Sequence, residues 1–248
     1  MGGPTRRGFL GGLLLGVGAL FAACRGAIAP PAADGDVVDR SPVSAAIDEK
    51  IRNPPALALE PPDSSFTNPN PIFIPPQTIF RRWRVNTVES HTTVDLHSWR
   101  LTIDGMIERP RTLDYAQVLA EPYHRQASDL HCVEGWGFTD IDWEGILLST
   151  ILDTAGVTRE ATHVNFFTFP GIYSDSLTLD QARLPDTMLA YRANGEPLKE
   201  QHGYPLRLVV PTMYGYKSVK WLDRIEVVRG RHLGYWEQRG WRPDPWIR

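Results

Sequence analysis

Among the residues able to do chemistry, one thiol stands apart. The 248-residue chain has two cysteines, Cys24 and Cys132. Cys132 lies in "DLHCVEGWGFTDIDWEG", among aromatic and acidic side chains. A thiolate is a soft ligand and suits a soft or high-valent metal. No second cysteine, HxxxH or HExxH accompanies it, so a zinc site with several protein ligands lacks support. A cysteine nucleophile needs a histidine base in contact with it. His131 is adjacent in sequence and would point to the other face of a strand, while a distant histidine stays open. The alternative is a buried, inert thiol that packs as a small apolar residue.

Three further segments carry polar groups at useful spacing. "HGYPLRLVVPTMYGYKSVKWL", residues 202–222, holds Lys217 and Lys220, two of the four lysines in the chain. Gly215 would let backbone approach a ligand closely. Backbone N–H groups with the Lys and Ser218 side chains would make a phosphate cradle. Arg207 would add a forked contact to a phosphate or a polar heterocycle. The alternative is a β-turn with solvated lysines. In "NFFTFPGIYSDSL", Thr168 follows a predicted strand and precedes a Pro-Gly turn, where site residues concentrate. A turn-capping hydroxyl is the plainer explanation of it. The arginines of "FRRWRVN", residues 80–86, would neutralise an anion or form a solvated charge run.

The elements that must position these residues are short. "WRLTIDGMI" alternates and reads as a strand ending near Gly105. "TLDYAQVLAE" reads as a helix with Thr112 as N-cap. "WEGILLSTILDTAG" reads as a second helix stopped by Gly156. "THVNFFTF" is a predicted strand, and "LTLDQARLP" a short helix closed by Pro185. "TMLAYRANGEPL" reads as strand, NG turn, strand, "PLRLVVP" as a buried strand and "WLDRIEVVRG" as the last one. Strands outnumber helices, which predicts an α+β domain with mixed sheets and short helices. No Gly-rich dinucleotide fingerprint follows the first strand.

The ends of the chain set expectations about compartment. Arg6 and Arg7 precede an apolar run, Leu13 to Ala23, which reads as a twin-arginine export signal over residues 1–24. The run is shorter than the roughly 20 residues of a membrane span. An ordinary signal peptide or a membrane anchor is the alternative. Phe21-Ala22-Ala23-Cys24 resembles a lipoprotein processing site, which would put a lipid tether on Cys24; cleavage elsewhere would remove Cys24. Either outcome leaves Cys132 without a disulfide partner in the chain, a structural Cys24–Cys132 disulfide being the remaining alternative. Residues 25–78 are Pro-rich and read as a tether and arm, with "IFI" as an edge contact. Residues 79–248 form the predicted domain. A net charge of −3 and the lack of a basic stripe argue against nucleic-acid binding.

Taken together, "WRLTIDGMIERPRTLDYAQVL", "CVEGW", "WEGILLSTIL", "LAYRANGEPLKEQHGYPLRLVVPTMYGYKSVKWL" and "GYWEQRGW" resemble the sulfite oxidase family of molybdopterin enzymes. The similar branch is the exported bacterial one that includes periplasmic methionine sulfoxide reductase. The resemblance runs in order from about Trp83 to Trp241. It implies a sulfite oxidase-type molybdopterin-binding fold and a Mo-molybdopterin cofactor. Cys132 matches the thiolate that binds molybdenum and is the implied catalytic residue. Thr168, Arg207, Ser218, Val219 and Lys220 match positions that contact the pterin or its phosphate, some through backbone. Trp83 and Arg84 fall near the early pterin-contacting segment. His202 stands where the exported reductases commonly carry Asn, and it can still hydrogen-bond the cofactor. The Asn-rich early segment of those reductases is absent, which weakens transfer of their substrate.

The resemblance thus implies an extracytoplasmic oxidoreductase carrying out two-electron oxygen-atom transfer on a small molecule. The chain lacks CxxCH and iron–sulfur cysteines, so electrons would pass through a separate protein of cytochrome type. The substrate would be a sulfoxide, or sulfite in the oxidative direction. The rivals are a cofactor-free binding lipoprotein that keeps the fold and a cysteine hydrolase.

Overall fold

Strict alternation builds the first long strand of the domain. In β2 (Leu101–Gly105) Leu101 and Ile103 are fully buried while Thr102 and Asp104 are not, the period-2 pattern of a sheet with one covered face. The computed structural model describes residues 78–79, 83–89 and 93–247. The export signal with Arg6 and Arg7, the Cys24 processing site and the arm with its "IFI" lie outside the described residues.

Two sheets carry the described chain. The first is five-stranded, ordered β3-β2-β11-β6-β7: β3 is Arg111–Leu113, β6 His163–Thr168, β7 Ser174–Thr178 and β11 Leu222–Val228. β11 runs parallel to β2 and antiparallel to β6. The second is six-stranded. It runs β1 (Thr78–Ile79), β5 (Trp136–Leu147), β8 (Met188–Ala193) and β10 (Arg207–Val209), with β4 (His124–Cys132) on β5 and β9 (Glu196–Pro197) on β8. β1 pairs in parallel with Trp136 and Gly137 of β5. The expected α+β architecture with mixed sheets is the one observed.

Three short helices complete it: α1 (Tyr115–Ala120), α2 (Leu148–Ala155) and α3 (Leu179–Ala182). Two expectations need correction here. Thr112 is not the cap of α1, because it lies in β3. Asp114 takes that place, in a reciprocal capping box with Gln117. The second helix begins only at Leu148, because Trp143–Leu147 is the end of β5, held to β8 in antiparallel register. Its predicted stop holds, with Gly156 left-handed at φ 72°. The third helix is shorter than expected: Leu177 and Thr178 belong to β7, and the helix ends at Arg183, ahead of Pro185.

The main core cluster draws on both sheets and on α2, through Ile103, Phe166, Ile225, Leu189, Leu208, Ile151 and Leu152. Ile103 and Ile225 are register partners, both fully buried. Truncating either to alanine would cost about 2–5 kcal/mol. A second cluster, with Trp136, Phe138, Trp143, Met188 and Val209, packs against Trp83, Leu130 and Cys132. It forms the floor of the site. Among the described residues no helix is long and apolar enough to cross a membrane.

Candidate active site

Cys132 is the last residue of β4. A tight turn follows, closed by the Gly135 amide donating to the Cys132 carbonyl at 3.1 Å, and Trp136 of β5 stands opposite in the ladder. The thiol is half-buried. Burial pushes its pKa up, as does the Glu134 carboxylate more weakly; the Glu134 amide and the Arg84 guanidinium pull the other way. A nucleophilic cysteine needs a lowered pKa or a paired base, so this environment disfavours the hydrolase reading.

A cavity of about 510 Å³ opens beside that thiol, and the nine residues marked by the resemblance line it. Cys132 and Arg84 lie on the β4–β5 side. Trp83 packs with its ring stacked on His202, centroids 4.0 Å apart at 22°. Thr168 ends β6. Arg207 opens β10, and Ser218, Val219 and Lys220 follow a 3-10 turn at Gly215–Lys217. These come from both sheets and from loops far apart in sequence.

Arg207 and Lys220 are held by carbonyls and rings. Arg207 is 3% exposed. Its Nη1 donates to the His202 carbonyl at 3.0 Å and its Nη2 to the Ser218 carbonyl at 3.2 Å. The Trp143 and Trp83 rings lie 5.2 and 5.9 Å from its guanidinium carbon. Lys220 Nζ donates to the carbonyls of Asn86 (3.0 Å) and Gln201 (3.4 Å). Among the described residues neither is in an ion pair with a carboxylate. Burial pushes Arg207 down to about 9. Burial, then the Arg207 charge, pushes Lys220 down to about 7, against the weaker pull of the Glu89 carboxylate. Ser218 Oγ accepts from the Val210 amide at 3.0 Å, which leaves its own proton to offer.

Some expectations about this loop change. Lys217 is not part of a phosphate cradle, nor is it solvated. It is 1% exposed and bound to Asp175 Oδ1 (2.6 Å), the Ser176 carbonyl (2.9 Å) and Glu237 Oε1. Gly215 lines the cavity and also serves a protein contact: a Cβ there would meet the His131 carbonyl and Leu130 Cδ2 at 3.3 Å. Both backbone groups of Val219 are engaged, its amide with Lys217 and its carbonyl with Leu208, so Val219 offers the cavity a wall.

Sequence reasoning missed several lining residues. Glu89 has no local signal, since its partners are Thr168, Ile172 and Tyr173. Glu134 accepts from Asn86 Nδ2 (2.8 Å) and Trp136 Nε1 (3.0 Å), clasping the 83–89 segment to the Cys132 turn. Trp236 and Trp241, from the quoted "GYWEQRGW", stack at 4.8 Å, and Tyr216 meets Trp241 edge-on at 5.0 Å. With Trp136 they give one part of the cavity aromatic walls.

The residues present fit a phosphorylated heterocycle carrying a metal. Arg207 is a buried charge and Lys220 a partly buried one, and an anion would offset the cost of taking them out of water. The Trp83–His202 stack offers a flat face beside them. Among the described residues no group of three or more His, Cys, Asp or Glu could hold a metal ion. A metal at Cys132 would therefore draw its other ligands from the cofactor.

Comparison with known proteins agrees with that chemistry. The family described as "Oxidoreductase molybdopterin binding domain" matches residues 88–236. The chain is 39% identical to the uncharacterized oxidoreductase YuiH of Bacillus subtilis over 154 residues, covering 61% of this chain and 77% of YuiH. It is 30% identical to Arabidopsis thaliana sulfite oxidase over 230 residues, 79% of this chain and 57% of that one. It is 32% identical to the Campylobacter jejuni protein-methionine-sulfoxide reductase catalytic subunit MsrP over 200 residues, 70% and 67% of the two chains. Among solved structures, the sulfane dehydrogenase SoxCD from Paracoccus pantotrophus superposes with a TM-score of 0.53 at 26% identity, covering 57% of this chain and 41% of that one.

Proposed function

The chain belongs to the sulfite oxidase-type family of molybdopterin-binding oxidoreductases, and on that premise we propose that it is an exported enzyme that reduces a sulfoxide by oxygen-atom transfer. One observation carries the reading: one cavity is lined by the Cys132 thiol and by two cations, buried Arg207 and partly buried Lys220, neither of which is in an ion pair with a carboxylate among the described residues. Cys132 would hold molybdenum. Arg207, Lys220 and Ser218 would hold the phosphate, and Trp83 with His202 the heterocycle. Bound there, the cofactor supplies the two-electron oxo chemistry.

The remaining work falls to the chain. Hydrogen bonds from Trp136 and Asn86 hold the Glu134 carboxyl below its usual range, so a negative charge stands two residues from Cys132. That charge repels an anionic substrate such as sulfite and leaves a neutral sulfoxide unaffected. The rings of Trp136, Tyr216, Trp236 and Trp241 give a sulfur substrate apolar and polarizable contacts and exclude water. The net reaction takes up two electrons and two protons and releases a thioether and water. The electrons would come from a separate cytochrome-type carrier. Sulfite oxidation is the second reading, favoured by the Arg84 guanidinium beside Cys132. The Arg6-Arg7 signal supports passage through the twin-arginine route to the periplasm, and Cys24 supports a lipid anchor there.

Protein purified from a molybdenum-competent host tests this. Mass spectrometry should find one molybdenum per chain, and methionine sulfoxide should be turned over with a reduced dye. Cys132→Ala should bring turnover to background with the fold kept. Turnover of sulfite alone would replace the first reading with the second. A metal-free protein whose Cys132 alkylates readily would point to the cofactor-free binding lipoprotein.

A further inference from the structure

Five aromatic rings form a closed circuit at one side of the cavity. Tyr173 stacks on Tyr235 with centroids 5.7 Å apart, and Tyr235 meets Trp236 edge-on at 5.2 Å. Trp236 stacks on Trp241 at 4.8 Å, and Trp241 meets Tyr216 edge-on at 5.0 Å. The Tyr173 hydroxyl closes the circuit by donating to the Tyr216 carbonyl at 2.6 Å. Tyr173, Tyr216, Trp236 and Trp241 line the cavity, whereas Tyr235 does not.

The circuit draws on three chain segments, and one buried ion cluster joins the same three. Lys217 follows Tyr216, Glu237 follows Trp236, and Asp175 lies two residues after Tyr173. Lys217 Nζ donates to Asp175 Oδ1 at 2.6 Å and to Glu237 Oε1, and all three side chains are buried. The other carboxylate oxygen of Glu237 accepts from the Gly234 amide at 3.0 Å. Glu237 itself does not line the cavity. Both its oxygens hold the loop that carries the two tryptophans. The Trp241 amide donates to the Trp236 carbonyl at 3.1 Å, so the two rings are set together. A second, uncharged tie runs from the Tyr216 hydroxyl to the Arg242 carbonyl at 2.7 Å. An apolar wall selects a substrate by contact only when its rings are locked from behind.

We propose that Glu237 is a positioning residue for substrate selection: through Lys217 it fixes Trp236 and Trp241 as a rigid wall that favours sulfoxides bearing a bulky apolar substituent over those bearing two methyl groups. This rests on the functional reading above and narrows its substrate class.

The test compares wild-type and Glu237→Gln holoproteins on methyl phenyl sulfoxide and dimethyl sulfoxide, with a reduced dye as electron source. Wild type should show the lower KM for the phenyl compound. Glu237→Gln should raise that KM about tenfold, the worth of one aromatic contact, and leave kcat, molybdenum content and the KM for dimethyl sulfoxide near wild type. In a Trp236→Leu/Trp241→Leu background, Glu237→Gln should change the KM ratio no further. If Glu237 only braces the fold, Glu237→Gln will lower Tm and leave the KM ratio unchanged, or shift both substrates alike; either result overturns the inference. So does a persisting effect in the double-leucine background. Should Glu237→Gln fail to fold, Tyr216→Phe decides: it cuts the uncharged tie and keeps the ring, and the KM ratio should fall about threefold, an unchanged ratio overturning the inference. A wild type that turns over both sulfoxides at equal KM overturns this inference alone. One that turns over neither removes the functional reading, and this inference with it.

Discussion

Lys217 and Lys220 belong to one loop, the first buried and the second partly so, and their surroundings are opposite. Lys217 meets two carboxylates, Asp175 and Glu237, and a carbonyl. Lys220 meets two carbonyls and the Trp221 ring, 4.5 Å from its Nζ. The Lys217 cluster ties the loop to β7 and to the segment that carries Trp236 into the cavity. Its lysine is answered within the chain by two carboxylates. The Lys220–Arg207 wall has charge left over. Buried charge answered by the protein is architecture, whereas buried charge left unanswered belongs to a ligand.

The contrast can be broken by substitution. Lys217→Met should have the largest effect. It strands Asp175 and Glu237, and urea unfolding should show a loss of about 3–5 kcal/mol. Lys220→Met should leave the apoprotein as stable as the wild type or more so, because it removes a partly buried charge that is in no ion pair among the described residues. The same variant should retain pterin about 10–100-fold more weakly, the worth of a hydrogen bond to a charged group. Equal destabilisation by the two variants would erase the distinction.

A smaller effect sharpens it. The folded apoprotein holds the Lys220 pKa at about 7 against 10.5. Between those values the unfolded chain binds the extra proton, so stability contributed by this site rises with pH. Apoprotein unfolding free energies from pH 7 to 10 should show that rise, and Lys220→Met should flatten it. Bound phosphate, by favouring the charged lysine, should flatten it too.

Much of the fold was legible wherever one side of an element is dry. Leu101 and Ile103 announce β2, and Gly156 announces the end of α2. β4 was not legible, because "HRQASDLHC" is polar and is a strand only through its pairing with β5. The boundary between β5 and α2 was lost inside one apolar run, which suits a strand and a helix equally. Asp114 and Gln117 did carry a capping-box signal, and Thr112 drew attention away from it. In the site, resemblance named residues that the fold does bring to one cavity. It could not separate Lys217 from Lys220, since only the distant Asp175 and Glu237 distinguish them. Glu89 was invisible for the same reason, its partners lying beyond Thr168.

The short strand β1 has a mechanical consequence. The Thr78 amide donates to the Gly135 carbonyl at 3.0 Å, and Thr78 is in register with Trp136, the residue across the ladder from Cys132. Tension applied to the chain ahead of Thr78 is therefore delivered as shear to the hairpin that bears the sulfur. A machine that hauls this protein by its leading end would be tugging on the turn that holds Cys132.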